Sequence, residues 1–170
     1  GPGHNDVRFN TWVIFWGAKA LTSNPIEMHH ANIFHPEPYT FAYSDIELSH
    51  SLLMLSVIKT TNHPELIYSL LVLLCIIIGG TGMFILARWF TSSSLPSFLA
   101  ALIFVFNPAH FGRYLQIQFF GDHWLPWFIW AMLNWTERKS KHWIWAGATV
   151  AFYCLHALSG SHSAVFGTML

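Results

Sequence analysis

From Leu66 to Phe90 the chain carries no charged side chain except Arg88. An uninterrupted apolar run of more than about 18 residues is the mark of a helix that can cross a bilayer. The run opens at Asn62-His63-Pro64-Glu65, with Asn at the expected helix cap and Pro in the first turn. Gly79, Gly80 and Gly82 fall inside it and predict close approach of a neighbouring helix. Composition agrees: 54% of residues are apolar and only 9% charged, with a mean hydropathy of +0.42, whereas a soluble domain is roughly 25% charged. Eight basic side chains balance eight acidic ones, so no basic field for nucleic acid exists. Cys75 and Cys154 both sit in apolar runs and by spacing point to neither a disulfide scaffold nor a zinc site.

The expected fold is therefore all-α, a polytopic transmembrane helix bundle with amphipathic juxtamembrane helices. Residues 1–63 form the first unit, a non-cytoplasmic loop with two such helices. One covers Arg8 to Leu21, with Phe9, Trp12, Val13, Trp16 and Leu21 near one face. The other starts at Ser44-Asp45-Ile46-Glu47, which has capping-box spacing, and runs toward Thr60. Pro25, Pro36 and Pro38 make the stretch between them a loop. Residues 64–170 form the bundle, with spans at about 64–90, 94–111, 118–135 and 143–159 and the start of another at 163–170. The second and third apolar runs are short, so their helices must borrow flanking residues or tilt. The aromatic excess reads as an interfacial belt. The chain starts Gly1-Pro2-Gly3 and stops at Leu170 inside an apolar stretch, which reads as an internal piece of a longer polytopic protein or, at Gly1-Pro2, as a tag scar.

Arg88 in the first short connection, and Arg138, Lys139 and Lys141 in the third, assign those connections to the cytoplasm. The opposite face then collects Asp6, Arg8, His29, His30, His35, Asp45, Glu47, His50, His110, Arg113, Asp122, His123 and His162. Carboxylates, an arginine and several imidazoles on one face suit a substrate that carries phosphate and must lose a proton. Each group also has a plainer reading. Asp6 could be a solvated loop residue, and His110 and Arg113, three apart on one helix face, could pair with Asp122 instead of a ligand. His29, His30 and His35 with Glu27 are ligand-type side chains, but no regular helical spacing supports a metal. His156, within the fourth run, could hold haem or chlorophyll or hydrogen-bond within the bundle.

Several segments in order carry a resemblance. They are Asp6 with Asn10-Thr11-Trp12 and Trp16; Asn32-Ile33-Phe34-His35-Pro36-Glu37-Pro38 with Ala42-Tyr43-Ser44-Asp45; Gly82-Met83-Phe84-Ile85-Leu86-Ala87-Arg88; Phe104-Val105-Phe106-Asn107-Pro108; and Gln118 to Trp124-Leu125-Pro126. The chain resembles the N-terminal part of bacterial polytopic glycosyltransferases of the GT-C class, the dolichyl-phosphate-mannose mannosyltransferase-like and oligosaccharyl-transferase-like membrane proteins. That resemblance implies a polyprenyl-phosphate sugar donor entering from the bilayer, with Asp6 as general base in an inverting displacement. It assigns His110, Arg113 and His123 to the donor phosphate, and Asp45 and His35 belong to the same substrate-binding set. The family's paired acidic motif is reduced here to Asn5-Asp6, with one carboxylate. No cofactor is required on this reading, and a divalent metal is optional. The partners implied are membrane lipids, the lipid-linked donor and further chain or subunits, in the bacterial inner membrane. The rival reading is a non-catalytic subunit of a larger membrane complex, GT-C-derived or binding pigment or haem through His156. A transporter fits less well, since no internal repeat is present.

Overall fold

A computed structural model describes residues 2–61, 63–111, 115–137 and 142–168. They form helices and loops, with no strand among the described residues. The all-α class is thus observed. Arg113, Arg138, Lys139 and Lys141 lie outside the described residues.

Helix α1 spans Pro2–Ser23 and begins well before the expected Arg8. The reason is packing: Val7 prolongs the inward stripe of Thr11, Ile14 and Ala18 and reaches the core. The loop that follows contains short 3₁₀ turns at Pro25–Glu27 and Thr40–Tyr43 and is tied back onto α1. Trp12 Nε1 donates to Asn32 Oδ1 at 3.3 Å, and Trp16 Nε1 donates to the Met28 carbonyl at 2.9 Å. Helix α2 spans Leu48–Ile58. The expected capping box is not made: Glu47 is the cap residue, and no side chain bonds the free helix N–H groups. Its carboxylate turns into the interior instead, while its carbonyl takes the Ser51 N–H at 3.0 Å.

Helix α3, Pro64–Thr91, matches the long apolar run. Its cap is His63, one residue later than expected, with Pro64 in the first turn. At 28 residues it is the one helix among those described that is long and apolar enough to cross a membrane. Helices α4 (Ser94–Val105), α6 (Leu125–Glu137) and α7 (His142–Ala157) are shorter. At 1.5 Å per residue they extend about 18–24 Å, less than the ~30 Å hydrocarbon thickness.

The expected 94–111 and 118–135 helices are each interrupted, for local reasons. Pro108 lacks an N–H and disfavours helical backbone at Asn107. Asn107 then closes one element and opens the next: its Nδ2 donates to the Phe104 carbonyl at 3.0 Å, and its Oδ1 accepts the His110 N–H at 3.1 Å. The one-turn helix α5, Pro108–Phe111, follows. A 3₁₀ segment, Ile117–Trp124, precedes α6, and α8 covers Ser161–Thr168.

The glycines in α3 do what their spacing predicts. A Cβ on Gly79 would lie 3.3 Å from His123 Cα, one on Gly80 3.1 Å from Val105, and one on Gly82 2.6 Å from Trp127. Helices α4 and α6 therefore press against the second half of α3. Its first half packs instead against α1 and α2, in a core of Ile14, Met54, Ile67, Tyr68 and Leu71 with Ile117. Several tryptophans are half-buried between helices: Trp124 and Trp127 stack on Phe152, and Trp130 meets Trp145 edge-on at 5.1 Å. The molecule is a helix bundle with a cap of α1 and α2 at one end.

Candidate functional site

Polar side chains gather where cap meets bundle. Ser49, His50, Glu47, His123 and His156 are all buried there or nearby. Helix α2 is joined to the end of α7 by the Ser49 N–H, which donates to the Leu158 carbonyl at 3.0 Å. The Ser49 hydroxyl accepts from Trp124 Nε1 at 2.8 Å. Three elements thus meet at one serine.

Glu47 and His50 share one face of α2 at i, i+3 spacing, with Glu47 Oε2 3.5 Å from His50 Nδ1. Burial, and then the neighbouring Asp45 carboxylate, hold the Glu47 carboxyl well above its ordinary range. Burial pushes the His50 imidazole down to about 4. Both shifts favour the uncharged forms. Neither nitrogen of His50 has a hydrogen-bond partner among the described residues, and Glu47 Oε2 has none either. A buried orphan of this kind costs about 1–3 kcal/mol.

The 3₁₀ segment Ile117–Trp124 supplies the other half. Gly79 lets its backbone approach α3, and this places His123 Nε2 4.0 Å from Cys75 Sγ. The His50 and His123 rings are 5.5 Å apart. One ligand atom from each of His50, Cys75 and His123 lies within 4.8 Å of the other two. One residue earlier, Asp122 Oδ2 sits 2.7 Å from His110 Nε2, while His110 Nδ1 faces the Val105 carbonyl at 3.3 Å. A cavity of about 10 Å³ separates the two groups, lined by Cys75, Gly79, His110, Asp122 and His123. Just upstream, Gln116 Nε2 donates to Asp6 Oδ2 at 3.2 Å.

The chain matches no protein-family model, no curated protein and no solved structure. Geometry alone must therefore say which of the sequence candidates work together. Asp6, His110 and His123 all meet the stretch 115–124, through Gln116, through Asp122 and directly. Arg113 lies outside the described residues, beside that stretch in sequence. Asp45 is nearby but engaged: its Oδ1 accepts the Ser161 N–H at 2.9 Å and also the Ser161 hydroxyl, anchoring the start of α8 to the cap. His35 is exposed in the long loop, outside the buried layer. Glu27 and His30 are exposed as well, and His30 leans on Tyr39 at 4.4 Å between rings. His156 is buried at the end of α7, where its carbonyl accepts the Ser159 N–H at 3.1 Å.

Cys75 and Gln116, which carry no role in the sequence alone, both meet this layer. A signal for Cys75 was available. It lies on the stripe Ile67, Leu71, Cys75, Gly79, Gly82, Leu86, the buried face of α3, and Gly79 one turn on marks where another backbone comes close.

Proposed function

We propose that this chain is part of an integral-membrane glycosyltransferase of the GT-C type, taking a sugar from a polyprenyl-phosphate donor on the non-cytoplasmic face. The observation that carries the reading is the convergence on residues 115–124 of Asp6 from the cap and of the His110–Asp122 pair from the bundle. Helices α3, α4, α6 and α7 are the bilayer part on this reading. Support comes from their outward faces, where Ile103 is 72% exposed, Val150 62% and Trp143 77%; large exposed apolar patches mark surfaces that water does not cover. The short helices then sit in locally thinned or tilted positions. The setting is a bacterial inner membrane with residues 1–63 outside the cytoplasm.

In this mechanism Asp6 takes the proton of the acceptor hydroxyl. The hydroxyl oxygen forms the new bond at the anomeric carbon, and the old carbon–oxygen bond breaks with its electron pair leaving on the polyprenyl phosphate. Gln116 donates to one Asp6 oxygen and leaves the other to accept the proton. His110 has both ring nitrogens turned to acceptors, so it positions Asp122, and Arg113 with His123 takes the phosphate. Asp45 and His35 belong to the acceptor side of the same face.

The test is transfer from a lipid-linked sugar donor in membranes holding the full protein. Asp6→Asn is expected to lower the rate by about 10²–10⁴-fold with helical content unchanged. Full activity in that variant removes Asp6 from the mechanism. One observation favours the rival non-catalytic subunit: Asp6 and Asp45 each bridge two segments, as structural carboxylates do. Absence of transfer in the unaltered protein, together with stable companion subunits, decides for that rival.

A further inference from the structure

The buried layer holds a cluster that shares His123 with the transfer chemistry and whose other two members, His50 and Cys75, that chemistry leaves unused. We propose that His50, Cys75 and His123 form a binding site for a divalent transition metal ion, with zinc the best match, which fastens the cap to the bundle. The three ligands come from three elements: His50 from α2, Cys75 from α3 and His123 from the 3₁₀ segment. Two imidazoles and a thiolate are a borderline-soft donor set of the kind zinc takes, and one that magnesium or calcium does not.

Three observations support it independently of the glycosyltransferase reading. First, the ligand atoms converge within 4.8 Å, and all three side chains are buried. Zinc–sulfur and zinc–nitrogen bonds of about 2.3 and 2.0–2.1 Å place ligand atoms roughly 3.5 Å apart, so closure asks for about an ångström of side-chain movement. Second, the orphaned nitrogens of fully buried His50 have no protein partner among the described residues, and a metal supplies one. Third, Glu47 Oε2 stands 3.5 Å from His50 Nδ1. An imidazole that binds metal through one nitrogen characteristically gives the proton on the other to a carboxylate. Binding displaces the Cys75 thiol proton to solvent and changes no oxidation state.

The experiment uses the full protein, purified in detergent through a tag free of histidine, loaded with Zn²⁺ and exchanged into metal-free buffer. The expected result is about one zinc per chain by elemental analysis. Loading with Co²⁺ instead is expected to give the near-ultraviolet thiolate-to-cobalt charge-transfer band, read on the unaltered protein and so independent of whether variants fold. Cys75→Ser should abolish that band, and His50→Gln should lower retained zinc at least tenfold. Three results would overturn the proposal: no retained zinc in the folded protein, bound cobalt without a thiolate band, or full zinc retention in both variants. Transfer activity is not a readout, so failure here and failure of the glycosyltransferase reading are separate outcomes.

Discussion

Gly82→Ala tests the close packing of α3 most directly. An added Cβ would stand 2.6 Å from both Cδ1 and Nε1 of Trp127 and 3.1 Å from Cε2. The indole is rigid and has little room to retreat, since it stacks on Phe152 at 5.7 Å and meets Trp130 at 6.1 Å. Its N–H also donates to the Ile78 carbonyl at 2.9 Å, so a shift of the ring strains or breaks that bond. Alanine gains about 1 kcal/mol over glycine in helix propensity. Against this stand an overpacking cost of about 1–3 kcal/mol and about 0.5–1.5 kcal/mol for the hydrogen bond. The balance is a destabilisation of about 0.5–3.5 kcal/mol, read as a lowered midpoint of unfolding in mixed micelles. Gly147→Ala on α7 is the internal reference, because a Cβ there meets nothing within 4 Å. It is expected to leave stability unchanged or to raise it by up to about 1 kcal/mol. Trp127→Phe in the Gly82→Ala background should recover part of the loss. Equal midpoints for Gly82→Ala and Gly147→Ala would refute the reasoning.

Two further substitutions probe the joints. Asp45→Ala removes the acceptor of the Ser161 N–H and hydroxyl, with an expected cost of about 0.5–2 kcal/mol; faster hydrogen exchange over 158–168, with α3 unaffected, is the signature, and unchanged exchange there would count against the anchor. Asn107→Ala loses both bonds at the α4–α5 joint and should expose that joint to limited proteolysis while leaving α4 protected; a cleavage pattern like that of the unaltered protein would contradict it.

Local chemistry explains which parts of this fold can be read from the chain. The charge-free run, Pro64 and the three glycines describe α3 and its close contacts, because each acts on its own backbone neighbourhood. Asn107-Pro108 likewise announces the break after α4. The apparent capping box at Ser44–Glu47 misleads because capping competes with tertiary demands: Asp45 is drawn to Ser161, and Glu47 turns inward to His50. The His50–Cys75–His123 cluster is hidden for a different reason. Its members are scattered along the chain, and only the crossing of α2 over α3, with Gly79 admitting the His123 backbone, brings them together.

Helix length then explains why such polar groups can be buried at all. Helix α3 is 28 residues long, about 42 Å at 1.5 Å per residue, and exceeds a ~30 Å hydrocarbon layer by about 12 Å, or roughly eight residues. On the proposed membrane placement, with the Thr91 end of α3 at one boundary, the surplus is its first eight residues, 64–71, which include Ile67, Tyr68 and Leu71. Those are the residues that α1 and α2 cover. Meanwhile α4 ends level with Gly80, and the segment bearing His123 enters at Gly79, so the bundle's polar connections stop partway along α3 and not at its tip. A ledge of polar side chains is left at that level, and the cap roofs it. Protein packing alone buries Glu47 and His50, and loosening α1 from α2 should hydrate both. Gly17 is the place to do it, because a Cβ there would collide with the Ser51 hydroxyl. In Gly17→Val the expected result is faster hydrogen exchange across α2 with α3 beyond Gly79 unchanged; loss of protection throughout the bundle would show instead that cap and bundle fold as one unit and that the ledge is not separable.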